Sequence, residues 1–267
     1  MPHPVPIPIN DPADPALDLF TNLRDRDLRR TTDLFLAEGR LVVERLLDSG
    51  LSLHSLIVTQ GKADDLVARV PASVPVFAAP EALLEQAVGF HLHSGLIAAA
   101  HTPPNPTLDA CTTPQAAPVL VLPEITNPDN LGLLARIAAG LGVGSLVLGP
   151  ACHDPWYRRA VRVSMGAMFQ LPVRRSPDLA GDLEQLKATH GYMLIAADCA
   201  PDATPLRDHQ PTLDTPRALM LGNEFAGIPK PLADRCDHRL RIPMHREIDS
   251  LNVAVAAGIF LHHLLPG

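Results

Sequence analysis

The sequence predicts an α/β fold built on a parallel sheet. Short strands alternate with amphipathic helices, the strands after residue 118 are unbroken apolar runs, and a Pro- and Thr-rich stretch cuts the alternation in two. A strand covered by helices on both faces has no reason to alternate with polar residues, and VLVL, SLVL and ALML do not. A chain of 267 residues is long enough for one large or two moderate domains with their own cores.

The elements follow in order. The first 18 residues are crowded with proline and predict an extended arm with no helix of its own, since proline withholds a donor and fixes φ. The stretch DLFLAEGRLVVERLLDSG predicts a helix, with Leu36, Val43, Leu46 and Leu47 on one side and Gly50 as its stop. Strands HSLIVT and VPVFAA and a helix PEALLEQAV come next. HTPPNPTLDACTTPQAAP has no periodicity and reads as a linker. Beyond it lie strand VLVLPEI, helix NLGLLARIAAGLG, strand SLVLGP, helix YRRAVRVSMGAM, a helix around DLAGDLEQLKATH, strands YMLIAAD, RALMLGNE and HRLRIPM, and a last helix after SLN. The predicted organisation is an arm and basic segment at 1–32, a smaller α/β domain at 33–100, a linker at 101–118 and a larger α/β domain at 119–267.

Composition narrows the function. A hydrophobic content of 46% with 19% charged residues describes a folded chain. No apolar run approaches the roughly 20 residues of a membrane span, and the start lacks the basic-then-apolar pattern of a signal peptide, so a cytoplasmic protein with no membrane segment is expected. Cys111, Cys152, Cys199 and Cys236 form no CxxC pair and suggest neither disulfides nor zinc. His91, His93, His238, His262 and His263 read as structural, and no metal is expected. A net charge of −7 argues against charge-driven, non-specific binding of nucleic acid. The cations are nevertheless 19 Arg against three Lys, clustered at Arg24, Arg26, Arg29 and Arg30, at Arg158, Arg159 and Arg162, and at Arg239, Arg241 and Arg246. The planar guanidinium fork suits phosphates and bases; solvated helix faces are the plainer explanation of each cluster.

Three segments carry chemistry, because ligands of parallel sheets sit beyond the strands' C-terminal ends. In EITNPDNLGLLARIAAGLGVG, Leu131, Leu134, Ala138 and Leu141 form the buried stripe, and Arg136 projects roughly 200° away from Leu134. Gly132 and Gly140 flank that arginine one turn to either side and leave it open to another chain or ligand. The GLGVGS within it imitates a dinucleotide loop, but here the glycines end a helix and precede a strand, the reverse of that fingerprint. In ALMLGNEFAGIPKPL a strand runs into Gly222, Asn223 and Glu224, with glycine freeing the backbone to approach a ligand. In IPMHREIDSLNVAVAAG a polar loop leads to Ser250 and Asn252 at the head of an apolar helix, where Asp249 or Ser250 would suit a cap.

Together NPDNLGLLAR, LGNEFAGIP and IPMHREIDSLNVAVAAG resemble, in order and spacing, the three motifs of the SpoU/TrmH-type RNA 2′-O-ribose methyltransferases of the SPOUT superfamily. DPWYRRAVRVSMGAMFQLPV resembles the stretch between the first two, and FLAEGRLVVERLL with HSGLIAAA resembles, more weakly, the ribosomal-protein-like substrate-binding domain that many such enzymes carry. The resemblance implies a trefoil knot, S-adenosylmethionine as methyl donor, RNA as substrate and a homodimer with its site at the interface. By motif position it implies catalytic roles for Asn130, Arg136, Glu224, Ser250 and Asn252, cofactor contacts from Leu221, Gly222, Ile242, Met244 and Leu251, and RNA contacts from Arg158, Arg159 and Arg162. Ser250 and Asn252 would then serve the site and cap the helix together.

The reaction so implied is attack of a ribose 2′-hydroxyl on a sulfonium methyl group, which requires a base or a stabiliser of the developing alkoxide. A guanidinium is a poor base. Either its basicity is lowered beside the sulfonium, or it stays a cation that steadies the alkoxide while water or another group takes the proton. Ribosomal RNA is expected as substrate, with transfer RNA as the alternative and an RNA-binding protein without catalysis as a reading of another class. The acidic total favours docking of a folded RNA loop by shape.

Overall fold

A computed structural model describes residues 4–20, 28–29, 31–89, 91–112, 117–211, 214–223, 225–246 and 248–265. Of the first arginine cluster, Arg24, Arg26 and Arg30 lie outside them, as does Glu224. The chain forms two compact units, residues 1–104 with 156–169, and residues 105–155 with 170–267. The segment Trp156–Phe169 therefore groups with the first unit, although its place in the sequence puts it inside the second domain.

In the first unit β1 (Ile7–Pro8), β2 (Leu34–Glu38), α1 (Arg40–Asp48), β3 (Leu53–Thr59), α2 (Asp64–Val67), β4 (Val76–Ala79), α3 (Glu81–Val88) and β5 (Leu96–His101) build a sheet of order β1-β4-β3-β5-β2. β5 runs antiparallel to both neighbours and the other pairs are parallel. The helix expected from Asp33 onward begins only at Arg40, because Leu34 to Ala37 form a strand buried on both faces. Four consecutive apolar residues fit a buried strand as well as a helix turn. The deciding residue is Gly39, whose φ of 103° no helix accommodates. Phe35 of that strand packs against Trp156 and Phe169, at ring-centroid distances of 5.1 and 5.7 Å.

The proline-rich arm is not bare extended chain. Pro15–Leu17 makes a turn of 3-10 helix, with the Asp14 side chain accepting from the Ala16 amide. Ile7 and Pro8 pair with Phe77 and Ala78 at the sheet edge, a place where proline's missing donor does no harm. Ile9, Leu17 and Phe20 sit fully buried among Leu36, Ile57, Leu84 and Ile97, so the arm completes the first unit's core.

The second unit contains α4 (Leu108–Cys111), β6 (Val119–Leu122), α5 (Pro128–Gly140) and β7 (Ser145–Leu148). After α6 (Arg158–Val163), which belongs to the first unit, come β8 (Val173–Arg175), α7 (Leu179–Ala188), β9 (Met193–Ala197), β10 (Thr204–Pro205), β11 (Arg217–Leu221), α8 (Lys230–Ala233), β12 (His238–Arg241) and α9 (Val253–Leu264). The sheet order is β10-β12-β9-β11-β6-β7-β8, and every pairing is parallel, as the unbroken apolar runs predict. Leu179, Leu183 and Leu186 of α7 cover Val119, Val121, Val147, Ala218 and Met220 on one face. On the other, α9 packs against α5 and β11. From β11 the chain crosses β9 to form β12 and then returns to pack α9 against β11 and α5. The predicted linker is partly built in, since Asn105 exchanges hydrogen bonds with the backbone of Arg175 at 2.7 and 2.9 Å.

Among the described residues no helix is long and apolar enough to cross a membrane, and no side-chain group suits a metal ion. All four cysteines are free, and burial pushes Cys111, Cys152 and Cys236 up to about 11. Replacing Leu17 with Ala should cost the first unit about 2–5 kcal/mol, the price of an unfilled core site. Urea unfolding followed by circular dichroism measures it, and an unchanged midpoint would mean that the arm is not part of the core.

Candidate active site

The C-terminal ends of β9, β11 and β12 open onto one cavity of about 360 Å³. Its volume falls within the range of small-molecule sites. Leu221, Gly222, Ile242, Met244 and Leu251, the five residues singled out as cofactor contacts, all line it, and so does Ser250. The lining is otherwise apolar, with Ile228 and Phe260, apart from Asn223, Asp198, Cys199 and Asp249.

Two loops shape this cavity. In the first, after β11, the Asn223 side-chain oxygen accepts from the amides of Phe225 and Ala226, at 3.0 and 2.6 Å, and folds the chain back on itself. The return brings the backbone of Gly227 and Ile228 against Gly222 so closely that a Cβ on Gly222 would land inside it. Glycine is thus required by the loop's own backbone, a more specific reason than freedom to approach a ligand. In the second loop, after β12, Asn252 caps α9 by accepting from the Ala254 amide at 2.9 Å, while its Nδ2 donates to Asn130 Oδ1 at 3.0 Å. The cap is therefore Asn252, not Asp249 or Ser250. Asn130 is buried, and α5 has a cap of its own in Asn127, which accepts from the Asp129 amide.

Asp198 and Cys199 were not singled out in the sequence, although YMLIAAD ends at Asp198 and the strand-end rule extends to it. Burial pushes the Asp198 carboxyl up, but the Ala200 amide, the Arg239 guanidinium at 2.8 Å and the Cys199 amide outweigh it and hold the group below its ordinary value. Arg239 is also forked onto Asp202, and Arg241 donates to the carbonyl of Ala203 at 3.0 Å. Two members of the third arginine cluster thus tie β12 to the chain after β9.

Arg136 stands apart from the cavity. It is exposed on α5 and lines a shallow depression with Leu133, Ile137, Gly140, Leu141 and Gly258. Of the two glycines flanking it, Gly140 has open space where a side chain would go, whereas Gly132 is buried. Leu133, Val255 and Ile259, on α5 and α9, are 36%, 53% and 41% exposed. The expected RNA contacts are in the first unit, where Arg158 and Arg162 both pair with Glu38, at 3.0 and 3.3 Å; Arg159 lies between them on α6.

Residues 117–262 match the model of the SpoU rRNA Methylase family, and residues 17–89 match the MRM3-like substrate binding domain. An uncharacterized tRNA/rRNA methyltransferase of Mycobacterium tuberculosis is 38% identical over 273 residues, covering 96% of this chain and 93% of the relative. The Bacillus subtilis 23S rRNA (guanosine(2553)-2′-O)-methyltransferase is 29% identical, covering 92% and 94%. Among solved structures, an AdoMet-bound rRNA methyltransferase from Sinorhizobium meliloti superposes with a TM-score of 0.85 at 24% identity, covering 97% of each chain. An RNA 2′-O ribose methyltransferase superposes at 0.78 with 27% identity, covering 97% of this chain and 98% of its own.

Replacing Gly222 with Ala should displace the Gly227–Ile228 backbone and cost on the order of 1–3 kcal/mol. Calorimetric titration with S-adenosylhomocysteine should show binding lost while the circular dichroism of the sheet persists; undiminished binding would show that this close approach does not shape the cavity.

Proposed function

The chain belongs to the SpoU rRNA methylase family, and on that premise we propose that it transfers a methyl group from S-adenosylmethionine to a ribose 2′-hydroxyl of a structured RNA, ribosomal in preference to transfer RNA. The observation that carries the reading is the convergence of Leu221, Gly222, Ile242, Met244 and Leu251 on one cavity at the C-terminal ends of three parallel strands. Apolar walls at Leu221, Ile228, Ile242 and Leu251 suit a flat purine, and Asn223, Asp198 and Ser250 among the lining residues offer polar groups for its edge and ribose. S-adenosylmethionine, when bound, supplies an electrophilic methyl group on a cationic sulfur.

The protein's own residues do the rest. Asn252 and Asn130, bonded to each other, fix the start of α9 beside the cavity, and Ser250 lines it. Arg136 steadies the alkoxide that develops as the ribose hydroxyl loses its proton to water, an electrostatic role that needs a cation and not a base. Glu224, next to Asn223 in the sequence, completes the motif set and is assigned to fixing the motif loops or the arginine.

Arg136 does not line its own chain's cavity. This supports a homodimer in which each chain lends Arg136 to the cavity of the other, and the exposed Leu133, Val255 and Ile259 beside it are the surface such a partner covers. The first unit, which matches a substrate-binding domain, supports a large structured RNA as substrate, with which a cytoplasmic location is consistent. The second relative's action on 23S rRNA supports the ribosomal choice.

With labelled S-adenosylmethionine and deproteinised ribosomal RNA, the wild type should yield a 2′-O-methyl nucleoside on digestion. Arg136→Ala should lose about 10²–10³ in kcat and Arg136→Lys far less. Mixing Arg136→Ala subunits with Gly222→Ala subunits should restore part of the activity, since one hybrid cavity is then intact. No transfer to ribosomal or transfer RNA despite cofactor binding would sink the enzymatic reading.

A further inference from the structure

Phe225 is 98% exposed, while Phe20, Phe35 and Phe260 are buried and Phe77 and Phe169 are partly so. The fold gains nothing from that ring, yet its backbone is held firmly, its amide donating to the Asn223 side chain. Phe225 lines the cavity proposed to hold the methyl donor. A large apolar side chain held in water by a fixed turn is placed for contact with something that comes from outside the chain.

Arg246 makes the same kind of statement from the other loop. Its φ of 58° lies in the left-handed region, which costs a side chain strain that glycine would avoid. It sits between Met244 and Asp249, both of which line the cavity, and its side chain is exposed. Arg239 and Arg241 of the same cluster are engaged inside the second unit. Arg246 has no side-chain partner among the described residues, so it is the member of that cluster left to meet a ligand. The other left-handed residue near an arginine differs: Met165 offers its carbonyl to Arg45 within the first unit.

We propose that Phe225 and Arg246 grip the RNA nucleotide whose ribose is presented to the cavity, Phe225 by stacking on an unpaired base and Arg246 by pairing with the adjoining phosphate. The proposal rests on the methyl-transfer reading for its choice of ligand. An exposed aromatic ring beside an arginine has the composition of a single-strand RNA contact, in which any base offers a face to stack on and the guanidinium fork matches phosphate. A second copy of the chain is a weaker match, because the apolar surface of α5 and α9, at Leu133, Val255 and Ile259, is made of different elements.

The test measures binding of a fluorescein-labelled single-stranded RNA and of deproteinised ribosomal RNA, together with methyl transfer, calorimetric binding of S-adenosylhomocysteine, and sedimentation. Phe225→Ala should weaken RNA binding and raise the KM for RNA about tenfold, the change one base–aromatic stack corresponds to, with S-adenosylhomocysteine affinity and sedimentation unchanged. Phe225→Trp should keep the wild-type values, and Phe225→Leu, apolar without a ring, should behave as the alanine variant. Arg246→Gly should melt no lower than the wild type, its strain relieved, yet bind RNA more weakly with a log–log salt slope smaller by about 0.7 to 1. RNA binding by Phe225→Ala equal to wild type overturns the proposal. So does a loss confined to S-adenosylhomocysteine, which would make the ring a cofactor cover, or a change in sedimentation, which would make it a subunit contact. Phe225-dependent RNA binding without methyl transfer by any variant would instead retain the grip and remove the enzymatic reading.

Discussion

The cavity exists because α9 is pinned at both ends. At its start, Asn252 bonds the first turn of its own helix and Asn130 of α5 with one side chain. At its end, the buried guanidinium of Arg217, at the start of β11, donates to the carbonyl of Leu264. Burial pushes that guanidinium's affinity for its proton down, and the helix's C-terminal carbonyl is a natural place for the charge it keeps. With α9 fixed against β11 and α5, the chain between β12 and α9 has a set start and a set finish. It must bridge them across the ends of the strands, and that bridge is one wall of the cavity.

The opposite wall follows from a tight reversal. Asn223 turns the chain after β11, and the absence of a side chain at Gly222 lets the returning backbone lie flat against the strand end. A loop that packs on its own strand has little freedom left, so its polar groups are aimed before any ligand arrives; such preorganisation spares binding the cost of ordering the loop. The cavity is therefore a product of backbone packing more than of any one polar side chain. This is why its walls are mostly apolar and why its polar side chains, Asn223, Asp198, Asp249 and Ser250, come from the segments that follow strands.

The sequence made the second unit's strands legible because a two-face-buried parallel strand leaves a run such as VLVL that little else imitates. The same rule failed at LFLA, which it could not separate from a helix turn, and passed over the short β8, whose three residues end in two arginines. LIAAAH, which forms β5, reads as helix-forming alanines until its antiparallel partners β2 and β3 are known. Five residues of the cavity wall were legible through the motifs the family shares, each of which lies at a strand end, whereas Asp198 and Cys199 were not. What spacing could not reveal is distance through space: that Asn130 and Asn252, 122 residues apart in the chain, bond directly, or that Arg136 does not line the cavity its own chain forms. The arm's burial was equally hidden, because proline-rich composition describes what a segment cannot do and says nothing of where Ile9 and Leu17 go.

Charge presents a conflict that the placement of arginines resolves. A chain with a net charge of −7 repels a polyanion at long range, yet its family acts on RNA. Several of its arginines are paired with carboxylates: Arg158 and Arg162 share Glu38, Arg174 is forked onto Asp182, Arg239 bonds both Asp198 and Asp202, and Arg235 pairs with Glu184. Such pairs, many of them partly exposed, contribute little to stability, but each removes one cation from the surface that an RNA would meet. Few phosphates can then be neutralised, so affinity owes less to counterion release than in a basic protein. Recognition must come instead from shape and from a small number of local contacts. That is the regime in which a single exposed ring such as Phe225, or a single open arginine such as Arg136, counts for much, and in which a folded RNA loop with splayed bases is a better fit than a regular duplex.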